Sequence, residues 1–291
     1  MREDFCVFIL THGRPHQQHT LKTLRTHGFT GKVFLVIDDE DSTGDEYRRL
    51  YGDQVLMFSK EELALTTDQF DTSSDRRSAL WAYNACWNFA KQLGCRFFVQ
   101  VDDDYTSWLY RRIGRRTVDA ERKYHGWKIH NLDKIFTAFV RIMETTSMTS
   151  IAFSQGGDHM GAEPFVTRFR RKAMNSFICD TSKPFRLRGR LNGDVNTYLA
   201  LGRTGHLFFT DMYVQLNQLE TQSNSGGMSE TYLESGTYVK SFYSVIAAPS
   251  CVRIRLMGRN NKRLHHFINW RKAVPKILSE HVQEEVPYSK A

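Results

Sequence analysis

Three consecutive carboxylates, Asp102, Asp103 and Asp104, close the apolar run at 97–101 in FFVQVDDDY. An apolar segment of that length bounded by a loop reads as a buried strand. Carboxylates bunched at its end repel one another and raise each other's pKa unless a cation is held among them. Hard oxygen ligands favour Mg²⁺ or Mn²⁺ over zinc, the chemistry of a site for a phosphate-bearing substrate. Taken alone, the same residues read equally as a solvated turn or a helix N-cap, so the weight falls on what precedes them.

FCVFIL at 5–10 reads as a first strand, followed by the loop THGRP at 11–15 and a helix to about His27 that Gly28 stops. KVFLVIDDED, from Lys32, is a second strand ending in Asp38 and Asp39, and QVLMF at 54–58 a third. From Ser74 to Gly94, Leu80, Tyr83, Trp87 and Ala90 recur at helical spacing, with Ser73 or Ser74 as N-cap. This helix runs into the strand of the three aspartates. Alternating strands and helices predict an α/β fold with a parallel sheet. Ligands of such sheets bind beyond the carboxyl ends of the strands, which places THGRP, Asp38 and Asp39, and the triple aspartate on one edge.

A chain of 291 residues, 41% hydrophobic, buries a full core as one large α/β domain or two small ones. The apolar run at 5–10 is too short for a membrane span or a signal peptide, so a soluble, cytoplasmic protein with no membrane partner is expected. Cys6, Cys86, Cys95, Cys179 and Cys251 are scattered and odd in number, which predicts buried thiols rather than a zinc site or a disulfide framework. The net charge of +8 is uneven: 12 Lys and Arg stand against 17 Asp and Glu up to Tyr110, and 28 against 15 after it. An acidic half suits a metal-bearing site and a basic half a polyanion.

The ordered series of a strand with THGRP, a strand with DD, a helix carrying Arg76, Arg77 and Asn84, and a strand ending in DDD resembles the nucleotide-binding half of GT-A-fold glycosyltransferases. With ILTHGRP and a strongly basic second half, the chain resembles the TET-associated glycosyltransferases of bacteriophages, which are thought to sugar-modify hydroxymethylated pyrimidines in DNA. The resemblance implies a GT-A-type, Rossmann-like, mostly parallel sheet flanked by helices in a single domain. Residues 1–105 would be the donor half and 106–291 the acceptor-binding and catalytic half. Thr11, Gly13 and Arg14 would lie against the nucleobase and diphosphate of a UDP-sugar, and Asp38 would contact the uracil or ribose. Arg76 or Arg77 would reach the donor phosphate or sugar, the other being a surface charge. Asp102 would hydrogen-bond the ribose or sugar, with Asp103 counted among the donor-binding residues, and Asp104 with Asp102 would ligate Mn²⁺ or Mg²⁺. Asp39, Glu40 and Asp41 read as solvated, and any donor contact from Asn84 is open because Tyr83 stands where relatives carry an Arg.

In the second half, 130–146 has an apolar helical face and 151–155 reads as a strand, followed by a glycine-rich loop at 156–164. Asp194 opens a helical pattern and is either an N-cap or, by the resemblance, the general base of an inverting enzyme. In a retaining enzyme it would instead orient the acceptor or sugar. His265 or His266 would complete the metal shell, with His206 a weaker competitor; alternation allows at most one of the pair. Basic clusters supply phosphate contacts. They comprise Arg111, Arg112, Arg115 and Arg116; Arg168, Arg170, Arg171 and Lys172; Arg186, Arg188 and Arg190; and Arg253, Arg255, Arg259, Lys262 and Arg263. Phe165, Phe169 and Trp108 could stack on an extruded base. Residues 221–236 read as a lid, and the chain after Val274 as a last helix and a loose end.

The expected function is metal-dependent transfer of a sugar from UDP to the hydroxyl of a hydroxymethylated pyrimidine, 5-hydroxymethylcytosine first, in double-stranded DNA. For a phage-encoded chain the compartment is the host cytoplasm. The alternatives are a protein, lipid or glycan acceptor, and a non-catalytic nucleic-acid-binding module or nucleotidyltransferase.

Overall fold

A computed structural model describes residues 1–113, 124–155, 176–219, 238–257 and 263–273. The first half alternates β1 (Phe5–Leu10), α1 (His19–Thr26), β2 (Lys32–Asp38), α2 (Gly44–Tyr51), β3 (Val55–Phe58), α3 (Lys60–Ala64), α4 (Leu80–Gln92) and β4 (Phe97–Asp102). There follow β5 (Tyr105–Ile113), β6 (Tyr124–Lys128), α5 (Leu132–Thr145), β7 (Met148–Ser154), β8 (Phe177–Asp180), α6 (Gly193–Arg203) and β9 (Leu207–Gln218). The described chain closes with α7 (Val239–Ala247), the hairpin β10 (Val252–Met257) and β11 (Arg263–Ile268), and α8 (Trp270–Ala273).

Among the described residues the main sheet runs β3-β2-β1-β4-β8-β7-β9-β5-β6. The first four strands are parallel, as the alternating pattern predicts. The rest is mixed: β8 is antiparallel to both β4 and β7, β7 is parallel to β9, and β5 and β6 are antiparallel. All six residues of β1 are buried, as a central strand covered on both faces requires. Cys6, Phe8 and Leu10 point into one core with Trp81, Trp87, Phe98 and Leu199 from α4, β4 and α6. Phe5, Val7 and Ile9 point into the other with Leu24, Val99, Phe136 and Val140 from α1, β4 and α5. Removing one of these large rings, as in Phe8→Ala, costs about 3–5 kcal/mol through lost transfer energy and a residual cavity.

Gly28 stops α1 for two reasons. Its φ is +78°, and a Cβ there would stand 2.3 Å from the carbonyl oxygen of His130. The helix expected from Ser74 instead begins at Leu80. The preceding segment spends its backbone N–H groups on local side chains: Phe70 on Asp68, Ser73 on Asp71, Asp75 on Ser73, Arg77 on Asp75 and Leu80 on Ser78. Such turns compete directly with helix formation. The helix expected at 130–146 occupies 132–145, capped by Asn131 accepting from the N–H of Lys134. All five cysteines are buried thiols. No helix among the described residues is long and apolar enough to cross a membrane.

Candidate active site at the carboxyl edge of the sheet

THGRP is locked onto the triple aspartate from below. Thr11 donates from Oγ1 to Asp103 (2.6 Å) and accepts from the Tyr47 hydroxyl (2.7 Å) and Gln18 Nε2 (2.9 Å). The Arg14 N–H donates to the Tyr47 hydroxyl, and Arg14 Nε lies 3.1 Å from the Asp103 carboxylate. Asp103 is 1% exposed, and burial pushes its carboxyl up to about 6 against the pull of Arg14 and Thr11. Thr11 and Asp103, expected at the ligand, hold the loop in place. Thr20, near the start of α1, fixes the aspartate turn: its hydroxyl donates to the Asp102 carbonyl (2.6 Å) and accepts from the N–H of Tyr105 (2.9 Å).

A second cluster forms where β2 ends. Asp38 pairs with His12 Nδ1 and with Lys60 Nζ, each at 2.8 Å. Burial alone would raise the Asp38 carboxyl, but these two partners outweigh it and hold it below the ordinary range. The same hydrogen bond raises the His12 pKa. Asp41, expected to be solvated, is 6% exposed and accepts from the N–H of Gly13 (2.7 Å), fixing that loop from the other side. Gly13 itself is exposed at φ +70°, with open space where a side chain would stand.

The remaining carboxylates gather around two buried phenols. Tyr83 donates to Asp102 Oδ1 at 3.3 Å. The Tyr105 hydroxyl is pushed well above its ordinary pKa by burial and then by the charges of Asp102, Asp104 and Asp194. Burial, Asp102 and Asp194 do the same to Tyr83. Asp194, distant in sequence, therefore stands near enough to Tyr83 and Tyr105 for its charge to act on the same two phenols as Asp102. Asp194 is not the N-cap; that position is Asn192, at φ +61° with no side-chain cap, and Asp194 stands in the first turn of α6, where a carboxylate favours the helix dipole. Asp104 accepts from Gln218 Nε2 (3.2 Å) through one oxygen, while the other is buried without a hydrogen-bond partner. Burial raises this carboxyl, opposed by Gln218 and the Arg14 charge.

Other expected positions fall elsewhere. Arg76 pairs with Glu40 (2.5 Å) and Arg77 with Asp75 (3.0 Å). Asn84 is fully buried and clamps Leu187 by accepting from its N–H (2.8 Å) and donating to its carbonyl (3.1 Å). His266 lies beside Asn192, its Nδ1 3.4 Å from Asn192 Nδ2, and His265 beside His266. Among the described residues no three His, Cys, Asp or Glu come together as a metal-binding group. Neither His265 nor His266 thus joins Asp102 and Asp104 in one, and His206 stands near Thr149 at the other end of α6.

Arg190 is spent on Asp71 (3.0 Å), Asp75 (3.1 Å) and the Tyr243 hydroxyl (3.2 Å), tying the turn-rich segment to α7. Arg111 donates to Gln215. Arg186 and Arg188 are exposed, and Trp108 is fully buried in the core rather than offered to a base. Arg115, Arg116, Arg168, Arg170, Arg171, Lys172, Arg259 and Lys262, the side chains of Arg112 and Arg263, Phe165, Phe169, the loop 156–164, the lid 221–236 and the tail after Val274 lie outside the described residues. At the borders of the described segments, Gln155 interacts with Tyr105 and the N–H of Leu219 donates to the Asp104 carbonyl (3.2 Å). Sequence inspection missed His12, Thr20, Tyr47 and Lys60. Of these, only His12 lay inside a motif that marked it.

Three solved structures resemble the chain at low identity. Glucosyl-3-phosphoglycerate synthase from Mycobacterium tuberculosis with Mg²⁺ and UDP aligns with a TM-score of 0.47 and 9% identity over 91% of this chain and 87% of that one. A mycobacterial protein aligns at 0.46 and 10% over 91% and 83%, and the same synthase with Mn²⁺ and UDP-glucose at 0.40 and 7% over 91% and 86%. No curated protein matches the sequence. The sequence model of the TET-Associated Glycosyltransferase family matches residues 5–227, well over half of the chain, and the protein accordingly belongs to that family of glycosyltransferases.

Proposed function

We propose that this glycosyltransferase moves a sugar from a UDP-sugar to the hydroxyl of a hydroxymethylated pyrimidine, first of all 5-hydroxymethylcytosine, in double-stranded DNA, in the cytoplasm. The observation that carries the donor chemistry is the buried Asp104 oxygen with no hydrogen-bond partner, on the edge where Asp102 and Asp194 also stand. An uncompensated buried carboxylate oxygen is costly, and a divalent cation is the fitting partner for it. Asp102 and Asp104 would hold Mg²⁺ or Mn²⁺, which when bound neutralises charge on the departing diphosphate. The aligned synthase structures contain Mg²⁺ with UDP and Mn²⁺ with UDP-glucose.

In this reading the two halves of the chain divide the labour. Residues 1–105 form the donor half: Gly13, with no side chain to block approach, and Arg14 lie against the nucleotide, and Asp38, fixed by His12 and Lys60, accepts from the uracil or ribose. Residues 106–291 form the acceptor half. Asp194 takes the proton of the attacking hydroxyl as that oxygen bonds to the anomeric carbon and the UDP oxygen leaves. The family's association with TET proteins and the basic second half support DNA as acceptor. The test is mass spectrometry of nucleosides from DNA containing 5-hydroxymethylcytosine, after incubation with UDP-sugars and Mn²⁺. A mass gain of one sugar on the modified nucleoside alone is expected; sugar on no nucleoside, with UDP still released, would redirect the acceptor to protein, lipid or glycan.

A further inference from the structure

The chain from Tyr238 onward lies beyond the stretch that matches the family, yet it is built onto the helix that presents Asp194. The His266 N–H donates to Ser241 Oγ (3.2 Å), Asn192 Nδ2 donates to Ser244 Oγ (2.6 Å), and Trp270 stacks on Tyr198 at 5.9 Å. At its root, one face of the β10–β11 hairpin is covered by this packing, with Val252 and Ile268 buried. Alternation sends Arg253 and Arg255, with Phe267 opposite Arg253, to the other face. Arg253, Arg255 and Phe267 are exposed there, and the Arg255 guanidinium lies 4.0 Å from the Phe267 ring centroid.

A cleft at the root of the hairpin is lined by Ser250, Arg253, Arg255, Phe267, Asn269 and Lys272. Among the described residues no acid pairs with Arg253, Arg255 or Lys272. Some arginines elsewhere are matched by an acid: Arg76 with Glu40, Arg96 with Asp180, Arg190 with Asp71. Three cations converging without an acid repel one another, and an anion relieves that repulsion. A guanidinium over an aromatic ring can still offer N–H groups for phosphate contact, and the exposed ring offers a stacking surface.

From this placement we infer that the outer face of the β10–β11 hairpin is a nucleic-acid docking site, with Arg253, Arg255 and Lys272 on backbone phosphates and Phe267 as an apolar floor. The inference rests on the nucleic-acid reading of the acceptor and deepens it. Because His266 abuts Asn192, two residues before Asp194, strand and helix hold bound nucleic acid in a fixed place relative to the reacting edge.

The test is fluorescence anisotropy of a labelled DNA duplex across a salt series. The double variant Arg253→Gln with Arg255→Gln should weaken binding about tenfold and flatten the slope of log K against log salt by about 2, since each phosphate contact contributes about 0.9. Arg253→Lys with Arg255→Lys should keep the slope, and release of UDP from a UDP-sugar without DNA should be unchanged in both. Equal affinity and slope in the Gln variant would overturn the inference while leaving the acceptor reading standing. A wild-type protein that binds no DNA at any salt would overturn both. If the Gln variant loses binding to phosphatidylserine vesicles but keeps binding to DNA, the face belongs to a membrane surface and the inference fails.

Discussion

At the carboxyl edge of β1, β2 and β4 the polar side chains interlock, whereas on the outer face of the hairpin the cations have no acidic partner among the described residues. Thr11, Tyr47, Gln18, Arg14 and Asp103 contact one another, as do His12, Asp38 and Lys60, although Gln18 Oε1 and Arg14 Nε keep no hydrogen-bond partner. The difference follows from burial. A charge taken out of water must be paired or the fold loses several kcal/mol, so evolution of the edge is constrained residue by residue. An exposed arginine pays no such penalty and stays available to a partner. In the edge, then, the informative exception among the described carboxylates is Asp104, whose second oxygen has no hydrogen-bond partner; on the hairpin it is the clustering around one ring of cations with no acidic partner among the described residues.

The largest expected effect tests that exception. Asp104→Ala should lower UDP-sugar turnover by about 10²–10³-fold, the scale of losing one electrostatic stabiliser of a transition state, while leaving DNA affinity unchanged. Full turnover would mean that Asp104 is only a turn residue. Asp194→Asn comes next: kcat for transfer should fall about 10²-fold or more, as for loss of a general base, with UDP affinity intact. Equal kcat would reduce Asp194 to a favourable charge in the first turn of α6.

Two smaller effects address the interlocked residues. The Asp103 carboxyl, displaced from 3.8 to about 6, binds its proton more tightly in the folded than in the unfolded state. Its contribution to stability is therefore greatest below about pH 4, falls by about 3 kcal/mol as pH rises to 6, and is flat above. Asp103→Asn should flatten denaturant-measured stability between pH 4 and 6, and an unchanged slope would contradict the buried assignment. Asn84→Ala leaves the N–H and carbonyl of Leu187 unpaired in the core and should cost about 2 kcal/mol, read as a lower urea midpoint with unchanged UDP affinity; a loss of UDP affinity at full stability would return Asn84 to the donor site.

How much of this was legible in the sequence differed between the same two regions. The strands at 5–10, 32–38 and 97–102 announce themselves as apolar runs with polar ends, and their convergence follows from α/β topology alone. The partners that lock the edge do not: Tyr47 and Lys60 sit in ordinary helical segments, and only the tertiary fold brings them to Thr11 and Asp38. Local hydrogen bonding misplaced the start of α4, because the serines and aspartates of 68–78 read as a cap when they form successive turns. In the second half, Asp194 was visible as a carboxylate opening a helix. Apart from the strand read at 151–155, the strands of that half and the hairpin, with short and charge-broken apolar patterns, were not. Arg190 and Asn84 were legible only as polar residues, since burial in a structural crosslink leaves no mark in a single sequence.

Among the described carboxylates only Asp104 keeps a buried oxygen without a hydrogen-bond partner, the place proposed for a cation held with Asp102 against the diphosphate. Titrating UDP calorimetrically into the wild-type protein and into Asp104→Ala, with and without Mn²⁺, tests that proposal most directly. Tight binding that requires both Mn²⁺ and Asp104 is the result expected. Equal binding by both proteins, or binding indifferent to the metal, would contradict the account.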